Sequence, residues 1–234
     1  MALGNGGVEV FSPTGDRVVS PAVRSSFMTR VYGWMVAGLG VSTATAIATV
    51  ASPTLSSLAS RGYLFLVLAQ FGLVIALSAL ARKLSGPLAA VLFLAYSALT
   101  GVTLSFIFFA YNLGTIATAF AVTAGTFLAL TAYGTFTKKD LSAWSTFLFM
   151  GLFGVIIASV VNIFMANDMM AFVITCATVL VFAGLTAYDT QKLRGLQASG
   201  VGNEGALAVN GALILYLDFI NLFLSILNLL GRRR

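Results

Sequence analysis

The sequence predicts an all-α membrane protein, a bundle of seven helices that each cross the bilayer, and three observations carry that reading. Hydrophobic residues make up 59% of the chain and charged residues only 9%, whereas a soluble domain carries about 25% charged residues. A chain this poor in charge has too little polar surface to face water alone. Seven apolar stretches come close to or exceed the ~20 residues that cover the hydrocarbon core. The 13 Lys and Arg residues fall in short clusters between those stretches, where they orient a membrane protein and do not point to nucleic acid. At 234 residues, one bundle accounts for the chain without a separate soluble domain.

Residues 1–24 hold Gly4, Gly6, Gly7, Pro13, Gly15 and Pro21 among scattered charges and read as a flexible cytoplasmic tail. The membrane domain takes up 25–234 and opens on an interfacial helix near Ser25. No short apolar core with a small-residue cleavage site stands near the start, so the first span is expected to act as an uncleaved anchor.

The spans are expected at 31–51, 63–81, 88–110, 114–136, 144–166, 169–188 and 206–230. Ser52-Pro53 closes the first and Ser85-Gly86-Pro87 precedes the third, because both pairings favour turns. Tyr111-Asn112-Leu113 parts the third from the fourth with a single strongly polar residue. Thr137-Lys138-Lys139-Asp140 separates the fourth from the fifth, and Asn167-Asp168 the fifth from the sixth.

Orientation follows from the basic residues. Arg17, Arg24, Arg30, Arg82, Lys83, Lys138, Lys139, Lys192 and Arg194 share one side; Arg61, Arg232, Arg233 and Arg234 share the other. The positive-inside rule places the N-terminus in the cytoplasm. The terminal Arg triplet works against a seventh full crossing, and the alternative is a last segment that re-enters and returns. The length of 206–230 without proline favours the crossing.

There is no histidine, which excludes histidine general bases, Ser-His and Cys-His pairs, histidine-ligated haem and the common zinc sites. Cys176 is the single cysteine, so no intrachain disulfide forms. Of seven acids, Glu9, Asp16, Asp140, Asp168 and Glu204 lie in the tail or loops and read as solvated. Asp218 stands mid-span within Leu215-Tyr216-Leu217-Asp218-Phe219-Ile220-Asn221, where an Asp costs about 2.5–3.5 kcal/mol on insertion scales and faces a bundle interior. Asp218, Asn221, Ser225 and Asn228 recur at steps of three, four and three, which puts one polar stripe on an apolar helix. Such a stripe lines either a helix contact or a water path facing a pore.

Asp189 ends the sixth run, with Thr175, Thr178 and Thr186 near the same face and Lys192 one turn on. Interfacial solvation is the plain reading of Asp189; pairing with Asp218 is the other. The two helices run antiparallel, so Asp218 lies about 18 Å below Ala206, or about 10 Å deep if the first turns of the last helix stand in water. A meeting needs the second arrangement, or a dip of Asp189 into the bundle. If the carboxylates meet, they cannot both ionise cheaply and share a proton. With both protons gone they make a site for a hard cation such as Ca²⁺, which prefers carboxylate oxygens.

The chain resembles the bacterial branch of the Bax inhibitor-1 family. The matching residues are Phe136-Thr137-Lys138-Lys139-Asp140-Leu141-Ser142, Val161-Asn162-Ile163-Phe164, Ala187-Tyr188-Asp189-Thr190-Gln191 and Leu215-Tyr216-Leu217-Asp218-Phe219-Ile220-Asn221-Leu222-Phe223. The resemblance spans about residues 25–230. It implies a seven-helix bundle with the last helix central, in the bacterial inner membrane, acting as a pH-sensitive Ca²⁺ leak whose sensor is the pair Asp189 and Asp218. It also implies a basic closed-state partner for that pair at the end of the second span, which falls at Arg82 or Lys83. An extra acid that a family member uses in the second helix has no counterpart within 63–81. Family members also suppress cell death or bind membrane proteases, so the second functional reading is a membrane interaction protein. An intramembrane aspartyl protease is disfavoured, because Leu215-Tyr216-Leu217 stands where such enzymes carry Gly-x-Gly before their second aspartate. The expectation is a protein that is not an enzyme and has no cofactor, with the bilayer, protons and Ca²⁺ as its partners.

Overall fold

The structure is a computed structural model that describes residues 10–11, 17–18, 21–80, 83–196 and 204–231. Two short strands, β1 (Val10–Phe11) and β2 (Arg17–Val18), pair antiparallel ahead of the first helix. Helix α1 (Pro21–Ala51) begins ten residues before the apolar run read from the sequence, since Pro21 suits the first helical position and the amphipathic turns after it continue the helix.

Ser52-Pro53 does more than close α1. The Ser52 hydroxyl accepts from the Leu55 N–H (3.4 Å), Pro53 occupies the first turn, and α2 (Pro53–Arg61) fills what the sequence suggested was a loop. A serine N-cap followed by proline starts helices as readily as proline stops them. Then come α3 (Tyr63–Leu80), α4 (Gly86–Leu104) and α5 (Ile107–Ala110). The third span, expected as one helix over 88–110, is thus broken at Ser105-Phe106. Asn112 caps α6 (Leu113–Phe136), its side chain accepting from the Thr115 N–H at 2.8 Å. Asp140 accepts from the Ser142 N–H (2.9 Å) at the start of a 3₁₀ turn, Leu141–Trp144. That bond holds its exposed carboxyl below the usual range. Helix α7 (Ser145–Met165) ends in a left-handed Ala166, Asn167 caps the next helix through the Met170 N–H, and α8 (Asp168–Leu196) and α9 (Glu204–Leu230) complete the chain.

Among the described residues, seven segments are long and apolar enough to cross a membrane, as the sequence leads one to expect. The last is the axis of the bundle. Helix α9 packs against α1, α4, α6 and α8, while α3 lies outside α4 and α7 outside α8. Of its apolar stretch 61% is buried, against 6% for the segments 63–80 and 141–165. It begins beside the start of α4, where an added Cβ on Gly86 would stand 3.5 Å from Gly205. It ends beside the α5–α6 linker, where the Tyr111 hydroxyl donates to Asn228 at 2.8 Å. Those two places lie at opposite ends of the bundle, and 27 residues rise about 40 Å. The last helix crosses completely, and the re-entrant alternative is set aside. The Arg triplet itself, 232–234, lies outside the described residues.

Lipid tails are as apolar as leucine, so helices in a bilayer associate by close packing and hydrogen bonds. At the contact of α1 and α4 an added Cβ on Gly101 would overlap the Ser42 carbonyl and the Thr45 hydroxyl. The bare glycine lets the two backbones touch there. The Ser42 hydroxyl donates to the Ser97 carbonyl (2.7 Å) and meets the Tyr216 hydroxyl (2.7 Å), which bolts α1, α4 and α9 together. The Tyr216 ring is fully buried, edge-on to Phe93 and Tyr96.

Candidate functional site

Helix α8 does not stop at residue 188. Nothing in Asp189-Thr190-Gln191-Lys192-Leu193-Arg194 breaks a helix; polarity there marks the rising level of water, and the helix runs on to Leu196. Asp189 therefore stands nearly two turns inside the end of α8, within the buried run Leu185–Thr190, and is only 8% exposed. Interfacial solvation, the plain reading of this residue from the sequence, is replaced by burial. Asp218 on α9 is 4% exposed. The two helices pack side by side, which brings Asp189 and Asp218, both buried, onto neighbouring elements.

The surroundings of the pair are short of donors. Thr186 and Thr190 flank Asp189, but their hydroxyls donate to the Phe182 and Thr186 carbonyls at 2.7 Å, satisfying their own helix. On α9 the Asn221 amide donates to the Leu217 carbonyl and the Ser225 hydroxyl to the Asn221 carbonyl, both at 2.8 Å. Asp218 Oδ2 is buried with no partner. Lys192 stands one turn on from Asp189, exposed over the Tyr188 ring with Nζ 5.5 Å from the centroid. Among the described residues the one ion pair is Arg30 with Glu204, 2.9 Å apart at the rim. Lys83 is exposed and takes no part in an ion pair with either aspartate; Arg82 lies outside the described residues.

The polar stripe expected on the last helix separates into two. Asp218 and Ser225, seven residues apart, share the buried face. Asn221 is half-buried and Asn228 exposed. They belong instead to a less covered seam of Leu207, Asn210, Ile214, Leu217, Asn221, Leu224 and Asn228, spaced alternately by three and four. The burial of a central helix is set by its neighbours, so spacing alone could not assign Ser225 and Asn221 to different faces.

Around the pair stand positioning residues to which the sequence assigned no role. The Gln191 side chain accepts from the Leu141 N–H (2.8 Å) and donates to the Lys139 carbonyl (2.9 Å), pinning the 137–141 loop to α8. The Arg194 guanidinium donates to the Thr135 carbonyl in the last turn of α6. At Gly134 an added Cβ would overlap the Ala187 backbone, so α6 and α8 touch two residues from Asp189. The signal was in the motifs: Gln191 closes Ala187-Tyr188-Asp189-Thr190-Gln191, and Thr137–Leu141 is the segment it grips.

No cluster of three or more acid, cysteine or histidine side chains capable of holding a metal exists among the described residues. Two carboxylates offer at most four of the six to eight oxygens that Ca²⁺ takes. Two carboxyls of this kind can exchange protons and could lend a hard cation partial coordination.

A family model described as "Inhibitor of apoptosis-promoting Bax1" matches residues 24–234. The chain is 44% identical over 230 residues to the inner membrane protein YbhL of Escherichia coli (strain K12), covering 95% of this chain and 98% of that one. It is 45% identical over 206 residues to an uncharacterized protein of Deinococcus radiodurans, covering 87% and 89%. An uncharacterized membrane protein of Streptococcus pyogenes serotype M1 matches at 45% over 161 residues, 68% of this chain and 70% of that one.

Proposed function

The chain belongs to the Bax inhibitor-1 family, and on that premise we propose that it is a pH-sensitive cation leak of the bacterial inner membrane. In this reading Ca²⁺ is the ion carried, the N-terminus is cytoplasmic, and neither a cofactor nor covalent chemistry is involved. The observation that supports it most is the burial of two acids on packed neighbouring helices, Asp189 and Asp218, with neither in an ion pair among the described residues and Asp218 Oδ2 without a hydrogen-bond partner.

With one proton between them the pair carries a single charge and α8 and α9 stay together. Losing that proton sets two like charges against each other in poorly screened surroundings, a repulsion on the order of a few kcal/mol. The strain is relieved if the helices part or a cation enters. A Ca²⁺ ion entering keeps much of its own water, since the pair cannot complete its shell. Partial coordination suits passage, because conduction needs binding strong enough to admit the ion and weak enough to release it. Protons and Ca²⁺ compete for the same oxygens, so binding weakens as pH falls. Purified protein in liposomes loaded with a Ca²⁺ indicator should give a flux that changes with pH across the neutral range. Flux no greater than that of empty liposomes would end this reading.

A second reading is a membrane interaction protein that modulates a membrane protease or a cell-death regulator. It draws on the family's description as an inhibitor acting on another protein and on the broad outward faces of α3 and α7, with Phe65, Phe71, Phe147 and Phe153 exposed. Deleting residues 1–24 separates the two: a leak survives the deletion, whereas an interaction that depends on the tail is lost.

A further inference from the structure

Four buried polar side-chain atoms among the described residues lack a hydrogen-bond partner: Tyr32 Oη, Thr131 Oγ1, Asn210 Oδ1 and Asp218 Oδ2. Buried polar groups in folded proteins are nearly always bonded, and where protein supplies no partner, water commonly does. These four are not scattered. Tyr32 on α1 stands near Thr131 on α6 and near Thr190 and Arg194 on α8, and its hydroxyl closes no hydrogen bond with any of them. Asn210 adjoins Gly211, where an added Cβ would lie 3.0 Å from Leu193 and 3.3 Å from Val31. Helix α9 therefore reaches this level beside the residues that precede Tyr32 and Arg194. Asp189 is one turn further along α8, and Asp218 is seven residues along α9 from Gly211, a rise of about 10 Å.

Arg194 crosses this level to the Thr135 carbonyl, one of the last carbonyls of α6, which have no partner within their helix and favour a cation. The other charges nearby point elsewhere. Lys192 lies over Tyr188, and Arg30 on α1 is paired with Glu204 on α9. Helix α6 itself carries no charged residue.

We propose that Tyr32, Thr131, Thr190 and Asn210 form a hydrated mouth through which water, protons and a hard cation reach Asp189 and Asp218 from the end of the bundle that holds the 137–140 loop, with Arg194, latched to Thr135, as its guard. The proposal rests on the cation-leak reading and adds the route and its closure. Hydroxyl and amide oxygens are the neutral ligands that a hard cation accepts while it sheds water. The guanidinium repels such a cation until α6 and α8 separate at this end.

Thiol accessibility tests the mouth without needing flux. In a Cys176→Ser background, Thr131→Cys and Asn210→Cys are exposed to an impermeant cationic methanethiosulfonate reagent, added to sealed vesicles on the side that presents the 137–140 loop. Leu128→Cys, on the lipid-facing surface at 67% exposure, is the control. Both mouth positions should react faster than the control. Adding Arg194→Gln should speed them roughly tenfold, as loss of one charge-assisted hydrogen bond implies. Reaction at both positions no faster than at the control overturns the mouth, and an unchanged rate with Arg194→Gln overturns the guard. Reactive thiols in a protein that passes no Ca²⁺ would sink the leak and leave the mouth standing.

Discussion

The two flanks of α9 are held to it in different ways. On the flank of α1 and α4, polar groups bond across helices: Ser42 reaches Ser97 and Tyr216, and the Thr45 hydroxyl reaches the Ala98 carbonyl at 3.1 Å. On the flank of α6 and α8 the hydroxyls of Thr123, Thr175, Thr178, Thr186 and Thr190 all turn back onto their own helices. Bonds from α8 to its neighbours occur at one end, through Gln191 and Arg194. Buried atoms without partners, Thr131 Oγ1 and Asp218 Oδ2, belong to this second flank. A helix bonded sideways moves only by breaking bonds, whereas one that satisfies itself can shift against its neighbour at little cost. In the proposed leak the first flank is the part that holds still and the second the part that moves.

The contrast breaks most severely at Gly101. Gly101→Leu would drive a side chain into the α1 backbone, where Ser42 and Thr45 already touch. Overpacking at an immobile contact costs about 3 kcal/mol or more. Folded protein should fail to accumulate, read by detergent size-exclusion; a normal monodisperse yield would show that the α1–α4 contact is softer than described.

On the other flank the expected loss is functional. Asp189→Asn and Asp218→Asn should each fold and each remove most of the pH dependence of Ca²⁺ flux. In the proposed mechanism the two act as one unit, so the double variant should match either single. Flux that keeps its full pH profile in both singles would take the pair out of the mechanism.

A smaller effect belongs to Tyr216→Phe, which deletes the bond to Ser42 and leaves the ring packing intact. The fully buried bond is worth about 1 kcal/mol, so the thermal midpoint should fall by a few degrees while the pH profile of flux is unmoved. A changed profile would tie the rigid flank to gating.

The smallest change in stability is expected at Asp218→Leu. Replacing a buried carboxyl that has no partner by an apolar group of similar size should be neutral or slightly stabilising, within about 1 kcal/mol, although flux is lost. A large drop in thermal midpoint would mean that Asp218 holds the bundle together.

Much of this was legible in the chain. Span lengths and the polar breaks between them follow from hydropathy alone, and a mid-span aspartate must face inward whatever the fold. Some features were not. Ser52-Pro53 reads as an end, although serine before proline is also a start, and hydropathy gives no sign of the short polar α2. The polar residues after Asp189 look like the end of the sixth helix; they mark where apolar burial thins, and backbone hydrogen bonding continues through them. The stripe on α9 combined Ser225 with Asn221, because three-and-four spacing defines a strip wide enough to include both a covered and an uncovered edge. Which edge is covered depends on α1, α4, α6 and α8, whose placement no local pattern encodes. The partners of the pair among Arg82 and Lys83 likewise depend on where a linker goes, and Lys83 faces solvent.

The central place of α9 has a consequence for how the protein is made. Synthesis runs from the N-terminus, and α9 follows the six spans that it organises. Those spans must enter the bilayer with their inward surfaces, Ser42 and Phe93 among them, still waiting for Tyr216 and its neighbours. A nascent chain halted before residue 204 would leave six inserted helices without a common core, exposed to quality-control proteolysis. Assembly of the bundle cannot finish before the seventh span arrives, because α1, α4, α6 and α8 all pack against it.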